Sequence, residues 1–172
     1  DKSSVYIIFS VEGCHSLSST LDKSRISKDE IIKNIDEIAD KYPLVSVNVT
    51  HLEQYPFCNH AYGIQFITNE DFRPTGNRIS DDGLAIIRHC YARDIMIDIK
   101  HLSLASRRML IEDVRNRPDF LQILQPLICT HAGFTGLSYK DIPDYMIDFN
   151  KVRRKNYSYI LWAKRKLYNT LN

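Results

Sequence analysis

Hydrophobic and polar positions switch between two periods along the chain. Ser4-Val5-Tyr6-Ile7-Ile8-Phe9-Ser10-Val11 is a short apolar run rich in β-branched and aromatic residues, ending in Glu12-Gly13. It predicts a buried strand. Ser27-Lys28-Asp29-Glu30 has the S-x-x-E form of a capping box, and Ile31, Ile32, Ile35 and Ile38 follow at helical spacing, so a helix is expected to about Asp40, stopped by Pro43. Leu44 to Thr50 alternates apolar and polar as a second strand and ends at His51. Residues 52–79 are punctuated by Pro56, Asn59, Gly63, Asn69, Pro74, Gly76 and Asn77 and read as a loop. Ser80-Asp81-Asp82 caps a helix with Leu84, Ile87, Cys90 and Tyr91 on its apolar face. Ile95 to Lys100 is a third strand, followed by a helix from about Leu104 to Asn116 that Pro118 breaks. A shorter helical piece, Phe120 to Leu124, precedes a fourth strand over Pro126 to Thr130. Beyond it the pattern weakens, and Tyr159 to Trp162 fits either helix or strand.

Strand, helix, strand, loop, helix, strand, helix, strand is the order of a parallel α/β sheet in one domain, residues 1–172. Hydrophobic residues at 44% and charged residues at 26% exclude disorder, collagen and coiled coil as whole-chain classes. No apolar run approaches the roughly 20 residues of a membrane helix, so no membrane span is expected. A net charge of +2 is too balanced for a nucleic-acid reader. The start, Asp1-Lys2-Ser3-Ser4, is not a signal peptide and lacks an initiator Met, which suggests a piece of a longer protein and leaves the compartment unread. Cys14, Cys58, Cys90 and Cys129 form no C-x-x-C and are expected as small buried apolar residues.

The chemistry gathers at the strand ends. Each predicted strand ends in an ionisable residue and a turn: Val11-Glu12-Gly13, Thr50-His51-Leu52, Lys100-His101-Leu102 and Thr130-His131-Ala132. In a parallel α/β barrel these ends share one rim, where active sites form. Glu12, His51, His101 and His131 would then converge, and imidazole with carboxylate suits zinc or a similar divalent ion. His15 and His60 fall in loops and His89 falls mid-helix, so each is expected to be solvated or hydrogen-bonded. Lys100 and His101 as strand neighbours would point to opposite faces, with His101 facing the site.

These residues carry a resemblance. Glu12-Gly13-Cys14-His15-Ser16-Leu17 resembles the E-G-x-H-S-L segment of the membrane dipeptidase (renal dipeptidase) family of the amidohydrolase superfamily. Val49-Thr50-His51 resembles its L-T-H segment, and Asn59-His60-Ala61-Tyr62 falls where its asparagine-rich loop follows. Asp82-Gly83-Leu84-Ala85-Ile86-Ile87-Arg88 is similar to its D-x-G-x-x-x-x-R helix start. Asp94 to Ser103 resembles its G-M-x-x-D-x-S-H-x-S strand, and Pro126 to Gly133 its P-x-x-x-S-H-S strand. The ordered set covers roughly residues 5–136.

The resemblance implies a zinc-dependent hydrolase that cleaves an amide or peptide bond of a small substrate, such as a dipeptide, with a metal-bridged hydroxide. Glu12 would bridge two Zn2+ ions, His101 and His131 would ligate the second, and His51 would polarise the scissile carbonyl or hold the oxyanion. Asp98 is expected to face away from the site as a structural carboxylate. The four strands would be about half of a (β/α)8 barrel, which typically needs about 250 residues. The other half would come from further polypeptide of the parent enzyme, or from a second copy in a homo-oligomer.

The chain also departs from the family pattern. It contains no H-x-D or H-x-H for the other zinc, and no Arg between His131 and Arg153 to hold a substrate carboxylate. An Asp that takes a proton from the bridging water would lie beyond its end. Two alternatives therefore stand: a non-catalytic barrel relative acting as scaffold or binding module, and a metal-dependent phosphoesterase. The tail from Asn150 carries seven basic residues and no acidic one, and reads as a solvated surface or a packing segment.

Overall fold

The computed structural model describes residues 4–51, 55–60 and 79–131. Its strands are β1 (Phe9–Glu12), β2 (Leu44–Asn48), β3 (Met96–Asp98) and β4 (Leu127–Ile128), and all pair in parallel in the order β1-β2-β3-β4. The helices are α1 (Lys28–Ala39), α2 (Asp81–Ala92), α3 (Leu104–Arg108) and α4 (Pro118–Leu121). Short 3-10 turns, Cys14–Leu17 and Lys23–Arg25, lie between β1 and α1. The tail and Tyr159 to Trp162 lie outside the described residues, as does most of the predicted loop over residues 52–79.

Each strand is added beside its predecessor, so the winding never reverses among the described residues. Right-handed crossovers then place the helices on one face of the sheet. Packing agrees: Val47, Val49 and Ile97 share a core with Ile31 and Ile35 of α1, Ile86, Ile87 and Cys90 of α2, and Leu110, Val114 and Phe120 further on. The opposite face carries Ser46, Asn48 and Asp98 together with Met96 and Ile128. Glu12 lies across from Asn48, and one residue beyond the Val47–Ile97 pair Asn48 lies across from Asp98, so the three share that face.

Several elements differ from the sequence pattern. The first strand is neither buried nor eight residues long: only Phe9–Glu12 pairs, and Val5, Tyr6, Ile7, Ile8 and Phe9 are all exposed. Its composition is that of a core strand, but it occupies an edge of the described sheet, where one side has no neighbour. Ser27 does cap α1 through the Asp29 amide. Glu30 instead turns away to accept from the Ser19 amide at 3.0 Å, tying the preceding turn to the helix. α3 widens into a π-helical stretch over Met109–Val114. Pro118 opens α4 at its first turn, where a missing N–H costs nothing. Cys14, Cys58 and Cys90 are buried, with burial pushing the Cys58 and Cys90 thiols up to about 12 and the Cys14 thiol well above its ordinary value, whereas Cys129 is exposed.

Candidate metal centre

The carboxylate of Glu12, the last residue of β1, is the point on which the histidines converge. Its Oε1 lies 2.9 Å from His101 Nε2, 3.6 Å from His51 Nε2 and 3.6 Å from His131 Nε2. One ligand atom each from Glu12, His101 and His131 falls within 4.8 Å of the others, a group that could hold a metal ion. A divalent ion with ligands at about 2.0–2.2 Å spans most of such a separation. His51 stands on the other flank of His101, with ring centroids 4.4 Å apart, while the His101 and His131 rings are 5.1 Å apart. The residues read from the strand ends are therefore brought together.

The route to this convergence differs from simple strand parity. β3 stops at Asp98, and Lys100 and His101 sit in a turn, so alternation does not govern them. His101 has a φ of 67°, a left-handed conformation uncommon for residues with a Cβ. Hydrogen bonds fix the turn. Asn48 Nδ2 donates to the carbonyls of Asp98 and Lys100, Arg107 Nε donates to the Ile99 carbonyl, and the Lys100 amide donates to Asp98 Oδ1 at 2.9 Å. Asp98 itself, 2% exposed, does not face away from the site. It shares the Glu12 face and accepts the Thr130 hydroxyl at 2.6 Å. It is a structural carboxylate in the sense that it joins the turns after β3 and β4.

His15, expected as a bland loop residue, also borders the site. Its ring stacks on His51 at 6.0 Å, with Tyr55 edge-on to it at 6.1 Å. Gly13 makes this possible: at a φ of 89°, a Cβ there would come within 2.5 Å of the His15 ring and 2.8 Å of His51 Cβ. The glycine after the strand was the available signal. His60 is buried and bridges to Leu102 rather than lying in solvent, and His89 pairs with Asp36 at 2.8 Å on the helical layer, away from the strand ends.

Electrostatics prepare the cluster for a cation. The hydrogen bond from His101, aided by charge on His51, His101 and His131, holds the Glu12 carboxyl below its ordinary value. Burial pulls the His101 imidazole below its ordinary value, outweighing the Glu12 hydrogen bond that raises it. An ionised carboxylate beside a neutral imidazole is the protonation state in which both act as ligands. The Glu12 side chain is 50% exposed and that of His101 11%, so the site is open on the β1 side and walled at its centre.

No helix among the described residues is long and apolar enough to cross a membrane. No protein-family model matches this chain, and neither a curated protein nor a solved structure gives a significant match to it.

Proposed function

We propose that the chain is part of a (β/α)8-type metal-dependent hydrolase resembling the membrane dipeptidases, acting on an amide bond of a small substrate. The observation that carries this reading is the grouping of Glu12, His101 and His131 within 4.8 Å at the C-terminal end of a parallel sheet. The donor set fits: two imidazoles and a carboxylate are the ligand complement of many hydrolytic zinc sites, which keep one position open. A strand order without reversal is what a barrel segment requires, whereas a doubly wound sheet reverses at a switch point.

When bound, zinc or a similar divalent ion would polarise a carbonyl and lower the pKa of water. The chain's own residues supply the rest. Glu12, His101 and His131 would hold the ion. His51 Nε2, 3.6 Å from Glu12 Oε1 and outside the ligand group, faces the same space and would donate to the oxyanion of an attacked carbonyl. His15 stacks on it with ring centroids 6.0 Å apart.

The test is a Zn2+ titration of the chelator-treated chain by calorimetry, with dipeptide and amide hydrolysis assayed in parallel. Saturable binding that Glu12→Gln or His101→Ala abolishes is expected, with hydrolysis of amides over phosphate esters wherever turnover is seen. Absence of binding by the natural chain overturns the reading.

A further inference from the structure

The turns carrying His101 and His131 are joined by one buried side chain, and the polarity of its hydrogen bonds decides which nitrogen of His131 is free. Asp98 Oδ1 accepts the Lys100 amide at 2.9 Å and the Thr130 amide at 3.4 Å, and Oδ2 accepts the Thr130 hydroxyl at 2.6 Å. Thr130 Oγ1 lies 2.9 Å from His131 Nδ1. A hydroxyl has one proton, and a carboxylate can only accept. With that proton committed to Asp98, Thr130 Oγ1 has only lone pairs to offer His131. Nδ1 must then carry the imidazole proton, and Nε2 keeps its lone pair, 3.6 Å from Glu12 Oε1. Two acceptors facing each other across that gap are what a cation between them satisfies.

We infer that Asp98, acting through Thr130, is a positioning residue that sets His131 in its Nδ1–H tautomer and points its Nε2 lone pair at the Glu12 carboxylate. It also anchors the turn that presents His101, so one carboxylate orders two ligands. The inference rests on the metal-centre reading for its purpose but not for its geometry. Carboxylates behind ligating histidines commonly act directly on the ring; here a hydroxyl is interposed, and the direction of its proton becomes the control.

The test uses the full chain, freed of metal by chelator, with tautomers read from the two-bond 15N–1H correlations of the histidine rings. His131 is expected as Nδ1–H in the natural protein and in Thr130→Ser. Thr130→Val removes the hydroxyl at nearly constant shape and should release the ring to a mixture of tautomers. Asp98→Asn should invert the chain: the new amide donates to Thr130 Oγ1, the hydroxyl proton turns to Nδ1, and His131 becomes Nε2–H. Zn2+ affinity should fall about ten- to hundredfold in Thr130→Val and recover in Thr130→Ser. An Nε2–H tautomer in the natural apo protein, or Zn2+ affinity unchanged by Thr130→Val, overturns the inference. Should Asp98→Asn not fold, the Thr130 pair decides alone. If the natural chain binds no Zn2+ yet shows the Nδ1–H tautomer, lost in Thr130→Val, the positioning role stands and the metal centre falls.

Discussion

The centre of the sheet and its β1 edge are built from similar residues and behave oppositely. β2 and β3 carry Val47 and Ile97, both inaccessible to solvent and packed under α1 and α2. The segment leading into β1 is as apolar, but Val5 and Tyr6 are 86% and 88% exposed. The edge nevertheless contributes Glu12, on which the histidines converge. The centre supplies rigidity and the hydrogen bonds that shape the His101 turn, and the edge supplies the charge. Catalytic and binding groups are often held this way, on exposed termini of elements fixed by a packed scaffold.

The largest expected effect that sharpens this contrast is in the centre. Ile97→Ala, which empties a fully buried position, should cost about 2–5 kcal/mol in urea unfolding. Gly83→Ala should follow: a Cβ there runs into the Phe57 carbonyl oxygen, and forcing the start of α2 away from the Phe57 backbone should cost about 1–3 kcal/mol. Gly13→Ala combines a φ of 89° with a collision against His15 and His51, and a strained residue of this kind costs about 1–3 kcal/mol. Its larger signature should be in Zn2+ affinity, because the residue displaced adjoins Glu12.

A smaller effect is a pH dependence to which the site contributes, alongside Glu30, whose carboxyl the Ser19 hydrogen bonds also hold below its ordinary value. The His101 imidazole is held below its ordinary value of 6.5, so the unfolded chain binds its proton first, and stability should decline as pH falls from 6.5 toward the folded value. Glu12, held below 4.5, adds stability that is present above that value and lost as pH falls through its lower folded value. Urea midpoints from pH 8 to 3 should therefore fall in two steps, and His101→Gln should remove the first. The smallest effect belongs to the edge: Ile7→Ser should change stability by less than about 0.5 kcal/mol. A loss comparable to that of Ile97→Ala would show that the β1 segment is covered in solution and that the contrast is false.

Much of the layout could be read from pattern alone. The apolar stripe of α1, its Ser27 cap and the Ser80 cap of α2 are local, because side-chain to backbone bonds at helix starts involve residues two or three apart. Strand ends marked by Glu12, His51, His101 and His131 were legible for the same reason: period and punctuation lie in the sequence. Burial of the first strand was misread because a hydrophobic run records what a strand is suited to, and not which neighbours surround it.

Periodicity, caps and turns depend on residues a few positions apart, and they suffice for α/β alternation with ligand-type residues after the strands. The left-handed turn at His101, the placement of Asp98 on the site face, the bond from Asn48 across fifty positions and the stacking of His15 on His51 join residues distant in the chain. None is favoured by its own segment. Each exists because parallel pairing brings the ends of β1, β2, β3 and β4 side by side, where a buried polar group left without a partner is costly and neighbouring turns satisfy one another.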